Sequence, residues 1–323
     1  MRPIPGARPP SRPSGTAPRR AGPAPRRWLA WRAGGDAFTR SALALLLAVA
    51  APGVTAQVSV RDDRGVEHRF ERTPQRVVTL LPSLTETVCA VGACGRLVGT
   101  DRYSNWPAAV LALPKLGGLD DALLERIVAL KPDVVLAAAS TRAVDRLEQL
   151  GIPVLAFESD RHEQVRASLQ RIGMLLGVPA QADAVWASIE AEIDRAAAAV
   201  PAAMRGRTVY FEADSTPYAA GAASFLGQTL ARLNLANIAP ASMGTFPKLN
   251  PEYVVRSQPD VVMAARRNVD DMARRPGWSR LRALQQGRVC AFDAERYELL
   301  IRPGPRIGQA AQAMADCLGG LPK

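Results

Sequence analysis

The sequence predicts an α/β protein with two parallel-sheet lobes joined by a single long backbone helix, and three observations support this. Short β-branched segments alternate with amphipathic helical segments, which is typical of parallel sheets covered by helices. The alternation stops once, at 178–204, where an alanine-rich segment has no strand signal. Finally, KPDVVLAA at 131–138 returns as QPDVVMAA at 258–265, and such a repeat is typical of a chain with two similar halves.

The segment 1–56 is predicted to be a cleavable signal peptide rather than part of the fold. Arginines crowd its start, SALALLLAVAAPGV follows at 41–54, and VTA places Val54 and Ala56 in a small-x-small pattern before the cleavage point. The apolar segment is shorter than the roughly 20 residues that a membrane-spanning helix needs. We therefore predict export to the periplasm, with an uncleaved N-terminal anchor as the alternative.

Most of the net charge of the chain belongs to this signal. The full sequence has 41 Lys and Arg against 30 Asp and Glu, a net charge of +11. Segment 1–56 contributes nine Arg and one Asp, so 57–323 keeps 32 basic and 29 acidic residues, a net charge of +3. A strongly basic domain is the usual sign of nucleic-acid binding. Because the charge lies in a segment that is removed, binding to nucleic acid is not predicted.

The N-terminal α/β lobe is predicted at 57–177. It begins with a β-hairpin at 57–72, where the sequence alternates around a turn at Asp63–Gly65. A helix follows the first buried strand, and Ser83 with Glu86 three residues later forms an S-x-x-E capping box at its start. Buried strands are predicted at 76–82, 96–100, 133–139 and 153–157, and helices at 83–92, 119–130, 143–151 and 162–177.

The remaining elements form an interlobe backbone helix and a C-terminal α/β lobe. The helix is predicted at 178–204, where Val185, Ile189 and Ile193 recur at helical spacing. The C-terminal lobe, 205–323, resumes the alternation. Strands are predicted at 208–213, 260–265 and 289–292, and helices at 224–234, 250–258, 278–286 and 306–318.

The four cysteines favour two disulfides, because an exported chain reaches an oxidising compartment. Three pairings are possible among Cys89, Cys94, Cys290 and Cys317. The pairing of Cys89 with Cys94 and of Cys290 with Cys317 keeps each bond inside one lobe, and we favour it. Free buried thiols are the alternative.

The sequence carries no signature of catalysis. It has no G-x-S-x-G nucleophile elbow, no glycine-rich phosphate loop and no H-E-x-x-H zinc motif. His68 and His162 are its only histidines, which leaves little capacity for general-base catalysis or metal ligation. We therefore predict a binding protein rather than an enzyme, with no catalytic or metal-ligating residues. Its ligand should lie between the lobes, near the carboxyl ends of the parallel strands.

Two segments resemble a known family. They are RVVTLLPSLTETVCAVGACGRLVGTDRYSNWP, which begins at Arg76, and LPKLGGLDDALLERIVALKPDVVLAA, which begins at Leu113. Both resemble the periplasmic cobalamin, haem and ferric-siderophore binding proteins of ABC importers, the helical-backbone or class III periplasmic binding proteins. The resemblance covers 76–323 and is closest to the cobalamin-binding branch.

The resemblance implies a transport function. A member of this family binds cobalamin or a related corrinoid between its lobes and delivers it to an inner-membrane permease dimer. Haem or a ferric siderophore is the alternative ligand, and an extracytoplasmic enzyme acting on a metal chelate is the alternative from another class. The expected protein is a periplasmic monomer with no intrinsic cofactor, whose transported ligand is cobalamin or another metal chelate.

The resemblance also implies which residues line the cleft. The family places aromatic side chains from both lobes there, on loops that follow strands or precede helices. The matching positions are Tyr103, Trp106, Tyr218, Phe246 and Tyr297, together with Glu298 and Arg302. Two positions depart from the cobalamin branch: Gly117–Gly118 stand where it has a Trp before the first repeat helix, and Phe246 stands where it has a second Trp.

The repeated phrase carries a further implication. Glu125 and Glu252 each precede a Pro-Asp pair by seven residues, so they lie on corresponding predicted helices. In the resembling family, glutamates at these positions meet arginines of the permease. We therefore expect both to lie on the same outer face, one per lobe, where they would match a two-fold permease dimer. Exposed helix residues without a partner are the alternative.

Overall fold

A computed structural model of the chain describes residues 57–214 and 217–322. The predicted signal peptide at 1–56 lies outside the described residues. Within them, no helix combines the length and the apolar character needed to cross a membrane.

The first half of the described chain contains a hairpin, a four-stranded sheet and four helices. Its strands are β1 Val58–Arg61, β2 Glu67–Phe70, β3 Val77–Thr79, β4 Leu97–Thr100, β5 Val134–Ala138 and β6 Val154–Phe157. Its helices are α1 Pro82–Ala90, α2 Leu124–Ala129, α3 Val144–Gln149 and α4 His162–Leu175, with 3₁₀ turns at Cys94–Arg96 and Ala108–Ala112.

The second half begins after one long helix, α5 Pro179–Ala199, and contains a five-stranded sheet. Its strands are β7 Thr208–Asp214, β8 Tyr218–Ala219, β9 Ala236–Asn237, β10 Val261–Ala265 and β11 Val289–Phe292. Its helices are α6 Phe225–Arg232, α7 Pro251–Ser257, α8 Arg266–Met272, α9 Arg282–Gln285, α10 Ala294–Leu300 and α11 Ile307–Gly319, with 3₁₀ turns at Ala202–Met204, Ala241–Met243 and Trp278–Arg280.

The two sheets share one strand order, and this explains the sequence repeat. The first sheet runs β4-β3-β5-β6 and is parallel throughout. In the second, β9, β7, β10 and β11 form the same parallel order, and β8 adds an antiparallel strand to β7. The repeated phrase is therefore the third strand of each sheet with the residues that enter it. The predicted α/β class with two parallel sheets is confirmed.

The aspartate of each Pro-Asp pair joins the start of the repeat strand, β5 or β10, to the start of the neighbouring strand, β3 or β7. Asp133 Oδ2 accepts hydrogen bonds from the backbone N–H groups of Gln75 and Arg76 at 2.7 and 2.9 Å, just before β3. Asp260 Oδ2 accepts from the N–H and hydroxyl of Thr208 at 3.0 and 2.9 Å, at the start of β7. Each aspartate thus fixes the register of two parallel strands, which have no hairpin to set it.

Helix α5 joins the halves by packing on helices from both. Trp186, Ile189 and Ile193 are buried along one face of it. Two glycines allow its neighbours to approach closely: a Cβ added at Gly173 of α4 would lie 2.6 Å from Ala182 Cβ, and one at Gly308 of α11 would lie 2.4 Å from Glu192 Cβ. The linking helix ends at Ala199, and the lobe boundaries predicted at 177/178 and 204/205 stay predictions.

Some predicted elements differ from those observed. Helix α2 begins at Leu124 instead of 119, because Asp121 Oδ1 accepts a hydrogen bond from Gly118 N at 2.8 Å and holds the preceding residues in a turn. The capping box at the start of α1 is wrong. Pro82 occupies the first turn, the N-cap is Leu81 without a side-chain cap, and Ser83 therefore lies inside the helix.

Both disulfides are formed in the pairing that the sequence analysis favours. Cys89 is bonded to Cys94, which fastens the end of α1 to the next turn. Cys290 is bonded to Cys317, which fastens β11 to α11. No free cysteine occurs in the described part of the chain.

Candidate functional site

A cavity of about 450 Å³ lies where residues that follow strands of both sheets meet. From the first sheet it is lined by Leu81, Pro82 and Ser83 after β3 and by Tyr103 after β4. From the second sheet it is lined by the end of β10, by Phe292 at the end of β11 and by one side of α10. The carboxyl ends of parallel strands are the usual ligand position in open α/β sheets, and the volume is in the range of ligand pockets.

Tyr103 gives the cavity an exposed aromatic surface. Its side chain is 60% exposed, although the turn that carries it is firmly held. Asp101 Oδ1 accepts a hydrogen bond from Tyr103 N at 2.7 Å, and Asp101 Oδ2 accepts one from the Ser104 hydroxyl. Burial raises the pKa of the Asp101 carboxyl. A large apolar ring held open on a rigid turn is suited to stacking against a flat ligand.

Tyr297 lines the opposite side of the cavity but is mostly buried. It lies on α10, where its hydroxyl is hydrogen-bonded to the carbonyls of Glu212 and Ala213 at 3.0 and 2.7 Å. Its ring stacks on Phe211 with centroids 6.4 Å apart. Burial raises the pKa of the Tyr297 phenol, so the hydroxyl stays protonated and acts as a donor. The residue positions α10 and offers only part of its ring to the cavity.

A buried carboxylate joins the two halves beside the cavity. Glu86 on α1 is 1% exposed and lies between two arginines of the second half. Arg302 Nη1 donates to Glu86 Oε1 at 2.9 Å. Arg306 donates to the same carboxylate through Nε at 2.9 Å and through Nη2 at 2.6 Å. Charge-assisted pairs of this kind are strong when buried and fully hydrogen-bonded.

Both Nη atoms of Arg302 are engaged by protein groups. Besides Glu86, it donates to Asn105 Oδ1 at 2.7 Å, to the Tyr103 carbonyl at 3.1 Å and to Glu298 Oε2 at 2.8 Å. Asn105 Nδ2 also donates to Glu298 Oε2 at 2.9 Å. Glu298 and Arg302 therefore border the cavity as a bridge between the halves. Their predicted role as ligand contacts stays a prediction.

Glu86 is the main residue that the sequence analysis missed. Its spacing from Ser83 suggested a cap, but the proline at the start of α1 displaces the cap and leaves Glu86 in the second turn. No local pattern links it to its partners, which lie 216 and 220 residues away in the sequence. The only local indication of its role was that an acidic residue occurs among the apolar residues of a predicted buried helix.

Three of the predicted cleft aromatics lie outside the lining of this cavity. Trp106 is 38% exposed, and the Arg306 guanidinium lies 4.6 Å from its ring centroid. Tyr218 is 40% exposed and lies in strand β8 rather than on a loop. Phe246 is half-buried, with its ring 6.2 Å from that of Phe225. The structure thus brings four of the predicted residues together at the cavity: Tyr103, Tyr297, Glu298 and Arg302. The other three lie outside its lining.

A second correction concerns the secondary structure of the residues after β11. Tyr297 and Glu298 were expected on a loop after the strand, but both lie within this helix. Its start has a recognisable signal that was not used, because the side chain of Asp293 accepts a hydrogen bond from Arg296 N at 2.9 Å as an N-cap. Two cavity-lining arginines, Arg266 and Arg267 at the start of α8, were also not singled out.

A second contact joins the halves away from the cavity. His162 at the start of α4 lies 3.0 Å from the Thr229 hydroxyl of α6, and its backbone N–H donates to Gln228 Oε1 at 2.7 Å. Burial and the nearby Arg232 lower the pKa of the His162 imidazole. The ring is therefore neutral near pH 7 and can make this bond without a buried charge. Together with Glu86, it connects the halves by side chains at two separate places.

Glu125 and Glu252 occupy corresponding places in the two halves. Each lies in the first turn of the helix that precedes the third strand of its sheet, on α2 and α7. Both side chains are exposed, and within the described residues neither has a hydrogen-bond or ion-pair partner. Because such a helix runs antiparallel to the strands, its first turn lies toward the same sheet edge as the cavity. Their place on one common outer face stays a prediction.

Comparison with known proteins places the chain among transport proteins. The model of the family described as "Periplasmic binding protein" matches residues 77–295. An uncharacterised ABC transporter substrate-binding lipoprotein of Bacillus subtilis is 26% identical over 272 residues, which are 81% of this chain and 85% of that protein. A vitamin B12-binding protein of Pectobacterium carotovorum is 27% identical over 198 residues, 59% of this chain and 71% of that protein.

A solved structure supports the same fold. The periplasmic heme-binding protein of Roseiflexus sp. RS-1, in its apo form, superposes with a TM-score of 0.65 at 24% sequence identity. The match covers 76% of this chain and 97% of that protein. This likeness concerns the fold alone.

Proposed function

This chain belongs to the periplasmic binding protein family, and from that premise we propose that it is the substrate-binding component of an ABC importer that binds cobalamin or a related corrinoid between its two halves. Its fold is that of the class III periplasmic binding proteins, as the sequence resemblance predicted. The family consists of binding proteins, which favours a non-enzymatic function. The protein would collect its ligand in the periplasm and deliver it to an inner-membrane permease.

The single observation that carries the proposal is the cavity of about 450 Å³ at the junction of the two sheets. It is mainly apolar, and Tyr103 offers it an exposed ring from a turn held by a buried aspartate. A macrocycle presents a large flat face, whose affinity comes from stacking and burial of apolar surface. A relative named as a vitamin B12-binding protein supports a corrinoid as the ligand.

Haem or a ferric siderophore is the second candidate, and the charges of the cavity favour it. Three arginines and one glutamate line the cavity, an excess of positive charge. Haem carries two carboxylates and many ferric siderophores are anionic, whereas the side chains around a corrin ring are mostly neutral amides.

Delivery to the permease is assigned to Glu125 and Glu252. The two residues are exposed, unpaired within the described chain and related by the repeat. An importer's permease is typically a two-fold dimer, and equivalent acidic groups on two similar halves would meet equivalent basic groups on its two subunits.

Replacing Tyr103 by Ala is expected to weaken ligand binding by roughly tenfold or more, because the loss of stacking and of buried ring area removes about 1.5–3 kcal/mol. The midpoint of thermal unfolding should change little, since the ring is 60% exposed. Absorbance titrations with cyanocobalamin, haemin and a ferric tris-catecholate would identify the ligand. They would also measure its affinity for the unmodified chain and for Tyr103→Ala.

Leu111→Ala is the matched control, because Leu111 is 58% exposed and lies outside the cavity. It should leave the affinity unchanged. Equal affinity of Tyr103→Ala and the unmodified chain for the ligand that binds would remove the cavity as the binding site.

A further inference from the structure

The cavity is lined by two arginines that form no ion pair within the described chain, and one of them makes no hydrogen bond either. Its charged lining residues are Arg266, Arg267, Glu298 and Arg302. Glu298 is paired with Arg302 at 2.8 Å, and Arg266 Nη2 donates to the carbonyl of Ala291 at 3.1 Å. Arg267 is exposed and has no hydrogen-bond or ion-pair partner among residues 57–214 and 217–322.

Arg302 is poorly placed to receive an anion from a ligand. Its two Nη atoms carry four N–H groups, and these meet Glu86, Asn105, the Tyr103 carbonyl and Glu298. It is also only 9% exposed. To bind a ligand anion through its Nη atoms it would have to give up at least one of these four bonds, which is costly in a largely buried network of charges. Arg266 uses one N–H group, on the Ala291 carbonyl, so among the arginines of the cavity Arg267 is the one with all of its side-chain donors free.

The opposite wall of the cavity also has an unsatisfied polar atom. Ser83 Oγ belongs to a side chain that is 3% exposed, lines the cavity and has no hydrogen-bond partner. Buried polar atoms are nearly always hydrogen-bonded, so this orphan is unusual. The oxygen has almost no accessible surface, however, so it does not face a ligand in this conformation.

We infer that Arg267 binds an anionic oxygen group, a carboxylate, a phosphate or a catecholate, at the edge of the transported ligand. This rests on the proposed function and narrows its ligand class to chelates that carry such a group. A guanidinium binds carboxylate and phosphate through two parallel hydrogen bonds, which fixes the orientation of the ligand as well as adding affinity. The stacked face of the ligand would then meet Tyr103, and its anionic edge would meet Arg267.

The test compares two proteins, each with an anionic ligand and a matched neutral one, in the manner of a double-mutant cycle. The proteins are the unmodified chain and Arg267→Gln, with Arg282→Gln as the matched control, because Arg282 is exposed and lies outside the cavity. The ligand pairs are haemin with its dimethyl ester, cyanocobalamin with cobinamide, which lacks the phosphodiester, and a ferric tris-catecholate with a neutral ferric tris-hydroxamate.

For the ligand type that binds, we expect Arg267→Gln to weaken the anionic form about tenfold, which corresponds to about 1.4 kcal/mol. The neutral form should bind both proteins equally, and Arg282→Gln should behave like the unmodified chain. The tenfold difference should shrink in 0.5 M salt, because an exposed guanidinium is screened.

Equal weakening of both forms, or no weakening of either, would overturn the assignment of Arg267 while leaving the proposed function intact. Failure of the unmodified chain to bind any of the six ligands would instead overturn the proposed function, and the inference with it.

Discussion

Replacing Glu86 by Gln is expected to lower the midpoint of thermal unfolding by roughly 6–20 °C, the largest stability effect that we predict. The carboxylate is 1% exposed and receives three hydrogen bonds from Arg302 and Arg306. A neutral amide cannot compensate two guanidinium groups, and removing one partner from a buried ion pair costs about 3–5 kcal/mol. Because the bridge joins the two halves, the variant should also lose ligand affinity.

Differential scanning calorimetry of the purified chain would measure this change. Glu67→Gln is the control, since Glu67 forms an ion pair with Arg69 in which both side chains are well exposed. Its unfolding midpoint should match that of the unmodified protein. A Glu86→Gln variant that unfolds within 2 °C of the unmodified chain would show that the bridge contributes little.

Reversing both exposed glutamates, Glu125→Arg with Glu252→Arg, is expected to abolish ligand uptake while leaving ligand affinity in solution unchanged. Each substitution replaces an attraction to the permease by a repulsion, and truncating one partner of a desolvated interfacial pair already costs about 2–5 kcal/mol. Each single variant should impair uptake, because each half of the protein would meet one half of the permease. The cavity is lined by neither residue.

The measurement pairs a solution titration with uptake in cells that depend on this importer. Asp145→Arg with Asp316→Arg makes the same change in net charge on α3 and α11, at exposed sites that the repeat does not relate. This control should transport normally. If the glutamate variant still transports, or if its ligand affinity falls together with its uptake, the docking role of the repeat is wrong.

Local patterns predicted most of the fold. Each buried strand of the parallel sheets is a β-branched or alanine-rich run with a turn signal beside it, so its place could be found without knowledge of its neighbours. The repeat even predicted that the halves correspond, and the structure shows why: Asp133 and Asp260 hold equivalent strand pairs in register. The two-residue strands β8 and β9 were missed, since they are too short to show a period.

The site was predicted less completely, because its contacts are made across the chain. Tyr103 could be placed at the cavity through the family resemblance, which puts aromatic residues on loops after strands. Glu86 could not be recognised, since its role depends on two arginines more than 200 residues away. Arg302 was expected to meet the ligand, but the structure gives it four protein partners. A residue's neighbours in sequence do not show which of its donors are already used.

The most direct test of ligand binding between the two halves is hydrogen–deuterium exchange with and without the bound chelate. Cyanocobalamin, or whichever of haemin and the ferric tris-catecholate binds, should protect the segments around Tyr103 and 292–303, which line the cavity from opposite sides. Exchange in α2 and α7 should be unchanged, because those helices are assigned to the permease. Saturating ligand that leaves both cavity segments unprotected, or that protects only a region elsewhere, would contradict the account.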